Sequence, residues 1–202
     1  WGKMLKGLLR NAPKVILMGE VRDAETARTL IEAANTGHLV FTTLHTNTAS
    51  MAIARLKKLD VDMDSLAGML LGVLAQRLTR VLCNSCKEVD NRESTKELLE
   101  DPRKADFLQA EMPYKPYRAN LRGCVHCGFS GYTGRKIIYE LLINNEKVRH
   151  VIEKNGNTSE IAKAGVRAGF SMWDCGLRLV AQGVTSIDAL KLVAKEETLD
   201  AS

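Results

Sequence analysis

No glycine-rich turn ending in Gly-Lys-Ser/Thr occurs anywhere in the sequence, and Gly2-Lys3-Met4 lacks both the hydroxyl and the upstream glycine that such a phosphate cradle needs. The chain therefore has no phosphate-binding loop of its own. No uninterrupted apolar run approaches the roughly 18 to 20 residues of a membrane span. The start, Trp1-Gly2-Lys3-Met4, has neither a secretory apolar region nor an initiating methionine, which gives the expectation of a fragment of a longer protein. Blocks of Lys and Arg are also missing. The formal charge of +5 is a mild surplus lying in residues 1–82, so no specific nucleic acid is expected as a partner. Internal repeats are absent. Only five cysteines occur, without a secretory signal, which argues against a disulfide framework and for a reducing, cytoplasmic compartment.

What is present is an ordinary globular composition, with 202 residues and 45% apolar side chains, enough for one domain or two small ones. The organising stretch runs from Val15 to Asn47. Val15-Ile16-Leu17-Met18 is an apolar run too short for a helix and ends at Gly19-Glu20-Val21-Arg22-Asp23. Asp23 caps a predicted helix whose apolar residues Ala27, Leu30, Ile31 and Ala34 recur at helical spacing until Thr36-Gly37 stops it. Leu39 to Thr43 reads as a second strand. A crossover of this length predicts a parallel βαβ unit, and parallel sheets place their ligands at the carboxyl ends of the strands. Glu20 and His45 fall at those ends.

The flanking segments predict further elements. Leu5, Leu8 and Leu9 suggest a helix over residues 1–10, closed by Pro13. A helix over about 49–59 follows the capping residues Thr46-Asn47-Thr48. The apolar positions Leu66, Met69, Leu70, Val73, Leu74, Leu78 and Val81 suggest a helix from about Ser65 to Leu82. Residues 83–140 read as a loop-rich insert, closed by a strand over 136–142. Four short helices, at about 146–154, 159–168, 172–182 and 186–195, are separated by Gly156, Gly169 and Gly183, and the tail 196–202 reads as frayed.

Cys83-Asn84-Ser85-Cys86 and Cys124-Val125-His126-Cys127 each set two thiols on a tight turn, the spacing with which structural zinc sites aim two ligands at one ion. Together Cys83, Cys86, Cys124 and Cys127 make a closed set of four thiolates. With no coordination position left open, such a site holds the insert together and does no chemistry. The long separation of Cys86 from Cys124 requires the insert to bring distant turns together. His126 is read as an exposed imidazole, with substitute ligation as the alternative, and Cys175 as a packing residue between Trp173 and Leu177.

Two readings of Glu20 stand side by side. It follows a buried strand, where nucleotide-hydrolysing folds put the carboxylate that orients a water, or it is a surface carboxylate paired with Arg22. An imidazole at a strand's carboxyl end can bond a phosphate or a water, and it can equally be a satisfied structural group; this applies to His45 and more weakly to His38.

Taken in order, Val15 to Asp23, Thr36 to Val40, Thr43 to Asn47, Ala75-Gln76-Arg77-Leu78, the two cysteine turns, Gly131 to Arg135, Tyr139-Glu140 and Gly183 to Ser186 resemble the type II secretion and type IV pilus assembly ATPases. The resemblance implies an α/β fold: the C-terminal part of a RecA-like parallel-sheet ATPase core (residues 1–82), a tetracysteine zinc-binding insert (83–140) and a helical C-terminal subdomain (141–202). It implies a homohexameric motor that hydrolyses ATP with Mg2+, attached peripherally to the bacterial inner membrane and driving a membrane platform of a pilus or secretion machine. Glu20 matches the Walker B glutamate, His38 and His45 match the histidine box that senses the γ-phosphate, and Arg22 is counted with them. The tetracysteine insert is similar to that of assembly and secretion members and is lacking in retraction ATPases. Ala12-Pro13-Lys14 stands where the family usually carries Asp-Pro-Asp, which puts magnesium tuning in question. The phosphate-binding loop is expected before residue 1, so this chain alone is expected to be inactive. The alternative reading is a zinc-stabilised nucleic-acid-binding or interaction module.

Overall fold

In the computed structural model, Gly7, Asn11, residues 13–167 and residues 169–195 are described. Apart from Gly7, which is helical, the helix expected over 1–10 lies outside the described residues, as do Ala12 and the tail 196–202. The chain divides into two compact units, residues 1–74 with 141–166 and residues 75–140 with 167–202.

The first unit opens with strand β1 (Val15–Met18), helix α1 (Ala24–Asn35) and strand β2 (Leu39–Thr42). β1 and β2 pair in parallel with Val15 opposite Leu39 and Met18 opposite Thr42, the crossover expected from the sequence. Asp23 starts α1 by accepting the Thr26 amide at 2.8 Å, which satisfies a donor the helix itself leaves open. Helix α2 (Ala49–Lys58) is capped by Thr48, whose hydroxyl accepts from the Met51 amide. Helix α3 (Met63–Met69) is capped by Asp62. The core gathers Ile16, Leu30, Ile53, Leu66, Leu142, Val148 and Ile152, all nearly inaccessible, each contributing about 1.5–3 kcal/mol by burial. Leu142, Val148 and Ile152 arrive late in the chain, on the end of strand β6 (Tyr132–Ile143) and on helix α6 (Glu146–Glu153); helix α7 (Thr158–Gly165) completes the unit.

The expected long helix over 65–82 is not formed. The helix ends at Met69, and Gly72–Leu82 is strand β3, paired with β6. Flanking bonds from the Asn144 amide to Leu71 and from the Cys83 amide to Gly131 show the two strands running in opposite directions. The helical reading failed because Leu74 and Leu78 lie on the exposed face while Ala75 and Thr79 are buried. Apolar residues on both faces erase the two-residue alternation and mimic a helical stripe, and cross-strand pairing overrides local propensity. Gly72 also permits a close approach: a Cβ there would lie 2.8 Å from the Leu142 carbonyl oxygen.

The second unit holds the remaining parts of β3 and β6, the short strands β4 (Glu88–Val89) and β5 (Tyr117–Arg118), which pair antiparallel, and helices α4 (Glu93–Leu99) and α5 (Ala105–Leu108). Helices α8 (Met172–Ala181) and α9 (Ile187–Lys191) follow. The insert therefore has more regular structure than its composition suggested. Among the described residues, the four helices after residue 145 are shared between the units, α6 and α7 in the first and α8 and α9 in the second, so the division expected at 141–202 differs from the compact units. Within the second unit the Thr185 hydroxyl donates to the Arg80 carbonyl at 2.6 Å, and the Leu82 amide donates to Val184. Arg92 binds both Asp90, at 2.7 Å, and Asp188, at 2.9 Å, tying β4 to α9. Among the described residues no helix is long and apolar enough to cross a membrane.

Candidate functional site

In the first unit, the parallel pairing of β1 and β2 carries Glu20 and His45 to the same end of the strands. The Val21 amide donates to the Thr43 carbonyl at 3.2 Å, and the Thr43 hydroxyl donates to the Gly19 carbonyl, so both peptides flanking Glu20 are laced to the residue after β2. The Glu20 carboxylate then takes Arg22 Nη2 at 2.7 Å through Oε2 and His45 Nε2 at 3.1 Å through Oε1. Since an ionised carboxylate only accepts, Nε2 faces it as the donor.

The Arg22 hydrogen bond holds the Glu20 carboxyl below the usual carboxylate range, opposed by partial desolvation and assisted by the charges of Arg22 and His45. A depressed pKa makes a poor proton acceptor at neutral pH. What this carboxylate can do is accept a hydrogen bond from a water and orient it. Its side chain is 23% exposed against 84% for His45, so the imidazole is the outward member of the pair.

His38 is not brought to this group. It precedes β2, at the other end of the strand, where its Nδ1 donates to the Ala33 carbonyl at 2.9 Å and its amide donates to the same oxygen at 3.1 Å. There it closes the carboxyl end of α1, whose last carbonyls have no helical partner. Thr43 was not singled out from the sequence. The sequence reading makes it the last residue of the second strand, with no role assigned, and the strand stops one residue earlier, at Thr42.

In the second unit the two cysteine turns meet. The sulfur atoms of Cys83, Cys86, Cys124 and Cys127 all lie within 4.8 Å of one another. The separations are 3.8 Å for Cys83 to Cys124, 3.9 Å for Cys86 to Cys127 and 3.8 Å for Cys124 to Cys127. A tetrahedral ion with Zn–S bonds of about 2.3 Å has sulfurs about 3.8 Å apart, which these three separations match. The amides of Cys124 and Gly131 both point at Cys127 Sγ, each at 3.2 Å, as a thiolate ligand requires. Gly123, Gly128 and Gly131 have positive φ, and at Gly123 a Cβ would meet the Phe129 backbone at 2.3 Å, so the turn closes only with glycine there. His126 is exposed and outside the four-sulfur set.

An α/β chain with a parallel crossover ending in a carboxylate and an imidazole, and with a separate four-thiol cage, defines a class in which nucleotide-linked folds are found. The chain belongs to the family described as Type II/IV secretion system protein, which it matches over residues 1–193. It is 39% identical over 192 residues to the type II secretion system ATPase E of Vibrio cholerae, covering 95% of this chain and 37% of that protein. To the type IV pilus assembly ATPase PilB of Pseudomonas aeruginosa it is 37% identical over 197 residues, covering 97% of this chain and 34% of that protein. Among solved structures, the pilus retraction motor PilT with bound ADP superposes with a TM-score of 0.62 at 26% identity, over 96% of this chain and 43% of the other. The chain thus spans little more than a third of the length of these curated relatives.

Proposed function

We propose that this chain is the C-terminal part of a hexameric ATPase motor that powers type IV pilus assembly or type II protein secretion, with a RecA-like core, working at the cytoplasmic face of the inner membrane. The observation that carries the reading is the 3.1 Å approach of His45 to Glu20 at the shared end of two parallel strands. In this reading Glu20 orients the water that attacks the γ-phosphate of ATP bound with Mg2+. Arg22 keeps Glu20 ionised and fixes one of its oxygens. His45, the outward member, takes the phosphate side of the same carboxylate and couples its occupancy to Glu20. His38 supports the second strand from its other end, consistent with a positioning role in the histidine box. Residues that cradle the triphosphate are supplied by polypeptide outside this sequence, so the chain alone turns over poorly.

The four cysteines would hold a structural Zn2+, which supplies a rigid crosslink between the two turns of the insert and no open coordination position. Support comes from the cage dimensions and from the amides aimed at Cys127 Sγ. Partners in this reading are five further copies of the full-length protein and a membrane platform of the pilus or secretion machine.

The test is Glu20→Gln in the full-length protein. ATP binding is expected to persist while steady-state turnover falls by about a hundredfold or more, the scale of losing a positioned water-activating group. Normal turnover in that variant would remove the assignment.

A further inference from the structure

Glu20 lies between β1 and α1, outside both elements, so neither the strand nor the helix fixes the backbone from which its carboxylate projects. Arg22 and His45, the partners of its two oxygens, are both largely exposed, and ion pairs of exposed side chains hold a geometry weakly. The firmer constraint comes from one residue just past β2. Thr43 accepts the Val21 amide at 3.2 Å through its carbonyl and donates its hydroxyl to the Gly19 carbonyl, so the peptides on both sides of Glu20 end on the same residue. Val21 is itself buried, which seats one end of this short segment in the core.

The two bonds differ in what they ask of the sequence. A carbonyl at position 43 is supplied by any residue, whereas the bond to Gly19 needs a hydroxyl on a short stem, which Ser and Thr provide. Thr also suits the end of a strand by its β-branched shape, and an isosteric valine would serve that purpose equally well. Thr43 and Gly19 are both exposed, so water can take over the Gly19 carbonyl in a valine variant and little stability is at stake. What water does not replace is the fixed spacing between the segment 19–21 and the end of β2. Thr43 stands two residues before His45, so that same spacing sets how the imidazole meets the carboxylate.

We propose that the Thr43 hydroxyl is a positioning group for ATP hydrolysis: by holding the Gly19 carbonyl it fixes the backbone that carries Glu20 and keeps that carboxylate in register with His45. Thr43 acts through Glu20 and needs no contact of its own with nucleotide or attacking water. The inference rests on the reading of Glu20 as the water-orienting carboxylate. A displacement of about 1 Å in such a group can cost about a hundredfold in rate, so a single hydroxyl that sets its position is visible in turnover.

The experiment compares ATP turnover and nucleotide binding in the full-length protein for wild type, Thr43→Val, Thr43→Ser, Glu20→Gln and the Glu20→Gln, Thr43→Val pair. Thr43→Val is expected to lower kcat about tenfold with ATP affinity unchanged within a few-fold, a split that a general loss of folding does not produce. Thr43→Ser keeps the donor and should stay within about threefold of wild type. In the Glu20→Gln background Thr43→Val should add no more than about twofold, because the hydroxyl acts only through that carboxylate. Equal losses in the valine and serine variants, or losses that multiply in the pair, would overturn the proposal. A slow Glu20→Gln beside a fully active Thr43→Val removes the proposal alone, whereas full turnover in Glu20→Gln removes the water-orienting reading and the proposal with it.

Discussion

The His45 imidazole stands 3.1 Å from the Glu20 carboxylate, across the ends of two strands whose register places Met18 beside Thr42. The contact is made by residues that are far apart in sequence and that share no element. Its consequence is that neither group can be altered without changing the other's hydrogen bonding. In the full-length protein His45→Ala is expected to lower kcat at least tenfold while leaving ATP affinity within a few-fold, and steady-state kinetics beside a nucleotide-binding titration measure both.

Asp90 gives a pH-dependent prediction in the second unit. Its carboxylate is buried, accepts from Arg92 and from the Thr95 hydroxyl, and is held below the usual carboxylate range chiefly by the Arg92 hydrogen bond, with burial opposing. A carboxylate depressed on folding stabilises the native state above its unfolded pKa, about 3.9, and this contribution is lost as pH falls through the lower folded value. Urea midpoints of the wild-type chain should therefore drop across that acid window. Asp90→Asn should cost roughly 1.5–3 kcal/mol at neutral pH and flatten the acid limb, because a charge-assisted bond is lost.

Metal content is the third expectation. Elemental analysis of the purified chain should find close to one zinc per chain, and Cys124→Ser should reduce it severalfold. A strong chelator should lower the unfolding temperature, since metal affinity held only by the folded turns counts as folding free energy. Zinc far below one per chain would remove the staple.

Gly183 offers a backbone test. Its φ is +68°, and a Cβ there would come within 2.5 Å of the Lys115 carbonyl oxygen, while its own carbonyl accepts from Lys87 Nζ at 2.9 Å. Gly183→Ala combines a left-handed conformation, costing roughly 1–2 kcal/mol, with a clash against backbone that cannot rotate away. Denaturant titration should show a loss of about 2–4 kcal/mol.

Elements built from near neighbours were legible in advance. Asp23 and Thr48 cap their helices as their chemistry requires, and the apolar run Val15–Met18 forms a strand because it is too short to complete a stable helix and is followed by Gly19. The paired cysteine spacings were also sufficient to suggest a four-thiol site. The stretch after Met69 was not legible. Leu74 and Leu78 imitate a helical stripe, and only the pairing of β3 with β6 decides that Ala75 and Thr79 face inward.

The order of residues alone determined which groups capable of chemistry exist, and it determined the local turns, because capping, glycine conformation and two-residue thiol spacing act within a few positions along the chain. Tertiary structure decided which of them meet. Strand direction joined Glu20 to His45 and left His38 at the opposite end, and closure of the insert drew Cys83 and Cys86 to Cys124 and Cys127. These meetings depend on cross-strand pairing and burial between distant segments, whose free energy no local pattern contains.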